Sequence, residues 1–378
     1  MADHGLITDI ELSPHKYLLH VDKLQMLAEG RDVFPVTVEM DPVDYCNHRC
    51  GWCVDPRHGT NALPLETARL LLEELHVLGV KGVVFKGGGE PTLHEAFGEL
   101  LDLASGHGFE VGVVTNGSRL EVAGGMIAGK ASYLRVSIDG PTAASHHAVH
   151  GSADFESIVA GVAGVVARRG PRRHPIIGLS FAMDHSAIDL IGEAIALGDR
   201  LGVDYVLLRT PFFEEVGRTA TMTVAEARAV RQAMETGRRE YRGPMKILVD
   251  HWISDREAAR FEEPPAASPR RGMAGCDGAN GIEHLTGRCW ASPLLAVVTA
   301  DRTVYPCCNL RALEPWSIGR LDYDRGATFR SIWEGELRHH VMDRIHRVEC
   351  LRHCTHPMSR YNEAIAYLSG PKYHGGFL

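Results

Sequence analysis

Val36-Thr-Val-Glu-Met-Asp-Pro-Val-Asp-Tyr-Cys46-Asn-His-Arg-Cys50-Gly-Trp-Cys53 is the stretch on which the reading of this chain turns. Residues 36–41 alternate as a strand does and run straight into a loop spaced C-x3-C-x2-C. That spacing supplies three thiolates and withholds a fourth. Structural zinc takes four protein ligands, whereas three thiolates on a [4Fe–4S] cube leave one iron open to a substrate or cofactor. Soft thiolates suit both metals. A zinc knuckle completed by His48 or His58 therefore stands beside the cluster as the alternative.

Outward from this loop the chain alternates strand and helix. Further strand candidates lie at 82–86, near 109–114, 132–138, 176–183, 204–208 and 246–249. Helical patterns fill the gaps, one at about 65–79 carrying Leu70, Leu71, Leu72 and Leu75, another near 94–105. This rhythm predicts βαβ units and a parallel sheet. The expected class is α/β, a partial (β/α)6 TIM-type barrel over residues 35–254 behind an N-terminal extension of 1–34. Residues 255–288 break the pattern with Pro264, Pro265 and Pro269 and read as a linker or active-site loop. Leu294–Val298 and Thr303–Tyr305 predict a hairpin, and helices are expected near 329–346 and 360–368. Together they make residues 289–378 a small C-terminal α+β domain.

Composition narrows the function. The 378 residues are 44% hydrophobic and 23% charged, as in an ordinary globular protein. A net charge of −8 without a Lys/Arg block argues against a nucleic-acid partner. The first residues lack a basic and apolar leader, and no apolar run approaches the ~18 residues of a membrane span. Nine cysteines in such a chain point to metal or redox chemistry in a cytoplasmic protein, not to a disulfide framework.

In a barrel, chemistry gathers where strands end, and each further motif sits there. Gly87-Gly88-Gly89-Glu90-Pro91 follows the second strand, with glycines that let the backbone approach a ligand and a carboxylate suited to an ammonium group. Thr115-Asn116-Gly117 follows the third strand, and Ser137-Ile138-Asp139-Gly140 ends the fourth.

The cysteine spacing with Trp52 before the last thiol, followed in order by these loops, resembles the radical S-adenosylmethionine (radical SAM) enzymes over residues 35–250. The resemblance implies that Cys46, Cys50 and Cys53 hold a [4Fe–4S] cluster whose open iron chelates SAM, and that reductive cleavage yields a 5′-deoxyadenosyl radical. It further implies that Gly88, Gly89 and Glu90 hold the methionine amino group. Thr115 and Asn116 would also bind the cofactor, Ser137 or Asp139 would lie near the ribose and carboxylate, and Trp52 near adenine. One departure is visible. Related enzymes often place arginine where His146-His147-Ala-Val-His150 puts His150, which reads here as a surface or helix-start histidine.

Cys289 and Cys307 bracket the hairpin, and Cys350 and Cys354 follow as C-x3-C. Four thiolates suit a closed iron–sulfur or zinc site. With Val304-Tyr305-Pro306-Cys307 they resemble the twitch form of the SPASM extension, which implies one auxiliary [4Fe–4S] cluster and two clusters in all. Cys276 and Cys308 are left over, and Cys308 competes with Cys307 as ligand. Arg209, Asp250 and His251 end the later strands and are expected to line a substrate pocket, with Cys276 or Cys308 as a candidate catalytic thiol.

The resemblance implies a flavodoxin- or ferredoxin-type reductant. The leading expectation is oxidation of a small polyhydroxylated substrate, of aminocyclitol or amino-sugar type as in antibiotic biosynthesis, with the auxiliary cluster as electron acceptor. Alternatives are an epimerase using the spare thiol, a maturase of ribosomal peptides, and a non-catalytic zinc-stabilised binding protein. About 34 residues precede the first strand, few for the winged-helix module common in peptide maturases.

Overall fold

The computed structural model describes residues 14–53, 59–169, 174–211, 222, 224–250 and 289–346. After a short helical turn at Pro14–His20, α1 spans Val21–Ala28. Six strand–helix units follow: β1 (Thr37–Met40) and α2 (Leu65–Val77), β2 (Gly82–Phe85) and α3 (Phe97–Gly106), β3 (Glu110–Thr115) and α4 (Leu120–Lys130). The fourth is β4 (Tyr133–Ser137) with α5 (Ala143–His150) and α6 (Phe155–Arg168). The last two are β5 (Ile176–Ala182) with α7 (Ile191–Leu201) and β6 (Tyr205–Arg209) with α8 (Val224–Glu240), before a seventh strand, β7 (Lys246–Asp250). All seven strands are parallel to their neighbours. The expected partial (β/α)6 barrel is present, and its sheet is open.

Alternate residues of a strand point to opposite faces. One set, including Val38, Met40, Val83, Phe85, Val113, Leu134, Leu179 and Leu208, is buried with Leu71, Leu75, Leu101 and Ile158 of the helices. The other set faces the interior of the curved sheet. There Tyr133 lies against Gly112 and Tyr205 against Gly178, so close that a Cβ on either glycine would meet the ring at 2.4 or 2.0 Å. These two tyrosines occupy the N-terminal end of the interior. Charged residues occupy the other end.

The C-terminal residues join the same sheet. β8 (Leu295–Val298) pairs parallel with β1, β9 (Thr303–Tyr305) returns antiparallel as the expected hairpin, and β10 (Gly319–Arg320) pairs with β9. The full order is β10-β9-β8-β1-β2-β3-β4-β5-β6-β7. The helix expected over 329–346 is two helices, α9 (Phe329–Trp333) and α10 (Glu336–His346), parted at Gly335. Glycine is a poor helix-interior residue, which explains the break. Glu74 of α2 docks α9 by accepting the N–H groups of Phe329 (2.9 Å) and Arg330 (2.8 Å) and the Tyr323 hydroxyl (2.8 Å). A carboxylate at a helix N-terminus meets the positive end of its dipole. Among the described residues no helix is long and apolar enough to cross a membrane.

Candidate functional site

The cysteine loop leaves β1 at the C-terminal end of the sheet. Its backbone is tied to the end of α5, where Arg49 N donates to His150 O (2.9 Å) and Gly51 N to Val149 O (3.1 Å). Cys46 Sγ accepts from His48 N at 3.4 Å. Burial pushes the Cys46 and Cys50 thiols up, and each thiol also feels the Cys53 sulfur. Neighbouring thiols that hold their protons so firmly are a ligand set a metal would deprotonate on binding.

The predicted cofactor loops converge on this one. Glu90 is buried; its Oε1 accepts from Thr92 N (3.0 Å) and from the Thr92 and Thr115 hydroxyls, and its Oε2 from Asn116 N (2.7 Å). Burial raises its pKa against the opposing effect of these donors. Glu90 thus joins the glycine loop to Thr115-Asn116, with Oε2 the less occupied oxygen. The Asn116 amide donates to Asn47 Oδ1 at 2.9 Å and lies 3.8 Å from Cys46 Sγ. Gly89 lies so close to the cysteine loop that a Cβ would meet Tyr45 O at 2.1 Å. Gly88 N donates to Asp41 Oδ2 at 3.3 Å. Trp52 Nε1 is a buried donor with no hydrogen-bond partner among the described residues. These residues fit a three-thiolate cluster and a ligand beside it.

Asp139 stands at φ +50°, a left-handed conformation that aspartate tolerates better than most residues. Its Oδ1 accepts from Ala182 N at 2.7 Å. Burial acts to raise its pKa, but the His150 imidazole and the Arg209 guanidinium outweigh it and hold the carboxyl below its usual range. Arg209 thus acts on Asp139 through its charge. Ser137 pairs in register with Ser180, and Arg209 with Asp250. The Asp250 side chain, His251, Cys276, Cys350 and Cys354 lie outside the described residues.

His150 is not at the surface. It is 1% exposed. Thr142 and Ser145 form a capping box that starts α5 at Ala143, and this register puts His146 and His150 one turn apart on the face toward the cysteine loop. Their rings stack at 4.4 Å. His150 Nδ1 lies 3.2 Å from Cys50 Sγ and 3.1 Å from His48 Nδ1. Asp154 receives both His48 Nε2 (2.8 Å) and His146 Nε2 (3.1 Å). Sequence reasoning missed His146 and Asp154 and misplaced His150; the i, i+4 histidine pair was the available signal.

A half-buried ion cluster also went unread. Glu39 of β1 accepts from Lys86 Nζ (3.1 Å) and Arg311 (3.0 Å), and Arg311 lies 3.1 Å from Asp41 Oδ1. Cys307 and Cys308 lie against each other, thiol to thiol. Cys307 is buried in the core and also feels Cys289, whereas Cys308 also feels Glu39, Lys86 and Arg311. Ser292 holds Cys289 by its N–H (3.4 Å) and Pro306 O by its hydroxyl (2.7 Å), which joins the two ends of the hairpin.

The sequence model of the radical SAM superfamily matches residues 40–185, the span that holds the three cysteines and all the converging loops. Residues 40–185 form a radical SAM domain. Mycofactocin maturase MftC of Mycobacterium ulcerans (strain Agy99) is 27% identical over 213 residues, 53% of this chain and 56% of that protein. The chain thus spans about half the length of this curated relative. SuiB from Streptococcus suis bound to S-adenosylmethionine superposes with a TM-score of 0.61 at 14% identity, covering 87% of this chain and 73% of that one. Native anSMEcpe with bound AdoMet and the Kp18Cys peptide gives 0.58 at 15% identity, over 89% and 99%. Both likenesses are of fold.

Proposed function

We propose that this radical SAM enzyme is a maturase of a ribosomally made peptide, carrying a second, auxiliary [4Fe–4S] cluster. What carries the reading is the closure of the cysteine loop, the glycine loop and the Thr115-Asn116 turn into one hydrogen-bonded unit through Glu90 and Asn116. The peptide substrate is supported by the maturase named among the relatives and by the peptide bound in a structure of the same fold. The small polyhydroxylated substrate that the sequence favoured gives way to this alternative.

When bound, the cluster and SAM supply a 5′-deoxyadenosyl radical for hydrogen abstraction. The chain's own part is positioning and exclusion of water. Cys46, Cys50 and Cys53 would hold the metal, Glu90 Oε2 and the glycine loop would orient the amino group, and Asp139 with Arg209 would set the polarity beside it. Trp52 offers its buried Nε1 to the cofactor. Cys289 and Cys307 would share the auxiliary cluster with Cys350 and Cys354, which leaves Cys308 as a thiol among the barrel's charges. A flavodoxin- or ferredoxin-type protein would deliver the electron.

The test is anaerobic reconstitution followed by measurement of 5′-deoxyadenosine, iron and product mass. Two clusters correspond to about eight iron atoms per chain, and the Cys46→Ala/Cys50→Ala/Cys53→Ala variant keeps about four and forms no 5′-deoxyadenosine. SAM cleavage by that variant sinks the cofactor reading. Turnover coupled to a panel of aminocyclitols and amino sugars, but to no precursor peptide, sinks the substrate reading.

A further inference from the structure

His48, Cys50 and His150 are arranged as metal-binding residues are, in a way the three-cysteine cluster does not require. Consider where the ring hydrogens must be. His48 Nε2 lies 2.8 Å from Asp154 Oδ2, an acceptor, so Nε2 carries the hydrogen and Nδ1 carries a lone pair. His150 Nε2 is buried without an aligned hydrogen-bond partner, and Asp139 Oδ2 lies 3.3 Å from it. A carboxylate at that distance repels a bare lone pair, so this Nε2 carries its hydrogen too. The two Nδ1 atoms then point lone pair at lone pair across 3.1 Å, with Cys50 Sγ 3.2 Å from one of them. Both histidines are almost wholly buried. Such an arrangement needs a positive charge between the rings, a shared proton or a metal ion.

The distances suit a metal ion. With Zn–N near 2.0 Å and Zn–S near 2.3 Å, tetrahedral donors stand roughly 3.3–3.6 Å apart, a few tenths of an ångström beyond the separations observed. All three donor atoms lie within 4.8 Å of one another. Each imidazole is also backed by a carboxylate, Asp154 behind His48 and Asp139 behind His150. That is the outer shell that fixes the tautomer and orientation of a metal-bound histidine.

We propose that His48, Cys50 and His150 form a mononuclear divalent-metal site, selective for Zn2+ among abundant ions, in the chain whose cysteine loop holds no iron. Two imidazoles and a thiolate are a borderline-soft donor set, with a fourth position for water. Because Cys50 belongs to both donor sets, zinc here and an iron–sulfur cluster on Cys46, Cys50 and Cys53 exclude each other. The site would hold the loop in place on α5 before iron arrives and would make zinc an inhibitor of cluster assembly.

The experiment uses the full-length Cys46→Ala/Cys53→Ala chain, metal-free, anaerobic and reduced, titrated with Co2+ as a spectroscopic substitute for zinc. Any cobalt taken by the C-terminal cysteines is common to all variants and is subtracted, and far-ultraviolet circular dichroism reports that the variants are folded. One equivalent with thiolate-to-cobalt charge-transfer absorption is expected to disappear in His48→Gln and in His150→Gln, and to be displaced by one equivalent of Zn2+. Asp154→Asn keeps both rings and is expected to weaken that equivalent by about 10- to 100-fold; it carries the test if a histidine variant does not fold. Unchanged cobalt stoichiometry and affinity in these variants means that a proton joins the two rings, and overturns the proposal. Failure of the cluster reading would appear separately, as a wild-type chain that reconstitutes no SAM-cleaving activity.

Discussion

Asp41 makes folding stability depend on pH in a direction opposite to that of most carboxylates. It follows β1, is 2% exposed, and is pushed up to about 6 from 3.8 by burial, with Arg311 opposing. The geometry explains why the arginine does not win. Arg311 hydrogen-bonds Glu39 at 3.0 Å, and although it comes within 3.1 Å of Asp41 Oδ1 it aligns no N–H with that oxygen. A carboxyl whose pKa is higher folded than unfolded binds more protons in the native state, so stability falls as pH rises through this range and is level above it. Just over two pKa units at 1.36 kcal/mol each give about 3 kcal/mol in full, of which about 2 kcal/mol falls between pH ~4.5 and ~7.5. Asp41→Asn removes the ionisation. The variant is expected to gain about 2 kcal/mol on wild type between those two pH values, read as the double difference of urea-unfolding free energies followed by tryptophan fluorescence. A double difference under about 0.5 kcal/mol, or of the other sign, refutes the account of Asp41.

Gly89→Ala would drive a methyl group into Tyr45 O at 2.1 Å and must displace the backbone leading to Cys46; a loss of about 1–3 kcal/mol is expected from overpacking, with the reconstituted protein keeping roughly half its iron. Asn116→Ala removes the bond to Asn47 and the contact with Cys46, and calorimetry is expected to show SAM binding weaker by about ten-fold, the worth of one hydrogen bond near a charge. Gly178→Ala sets a Cβ 2.0 Å from the Tyr205 ring; its cost in thermal melts should largely vanish when it is introduced into Tyr205→Ala rather than wild type, and additive costs would disprove the packing argument.

The barrel was legible because its signal is local. Each strand reads as a short apolar run closed by a loop motif, and the parallel order follows from the intervening helices. The cysteine loop, the glycine loop and Thr115-Asn116 were legible because spacing alone specifies them. Pairings between distant residues were not. Glu39 meets Arg311, and Trp333 donates its indole N–H to Val33 O at 2.8 Å, across intervals no periodicity spans. His150 was misplaced for a related reason: α5 is polar on most sides, so its pattern does not mark which face the cysteine loop will cover. Gly335 was visible as a glycine, but the same residue is tolerated inside other helices of this chain, such as Gly161 in α6.

β1 is bonded on both edges, by β2 at residues 82–85 and by β8 at residues 295–298. During synthesis the second partner emerges roughly 200 residues after the first, some ten to forty seconds later at about 5–20 residues per second. Through that interval the strand that feeds the cysteine loop has one open row of N–H and C=O groups, the kind of edge that recruits other chains. The earliest strand made is therefore among the last to be completed, and a nascent chain halted before Leu295 presents its half-built metal loop beside an unpaired edge.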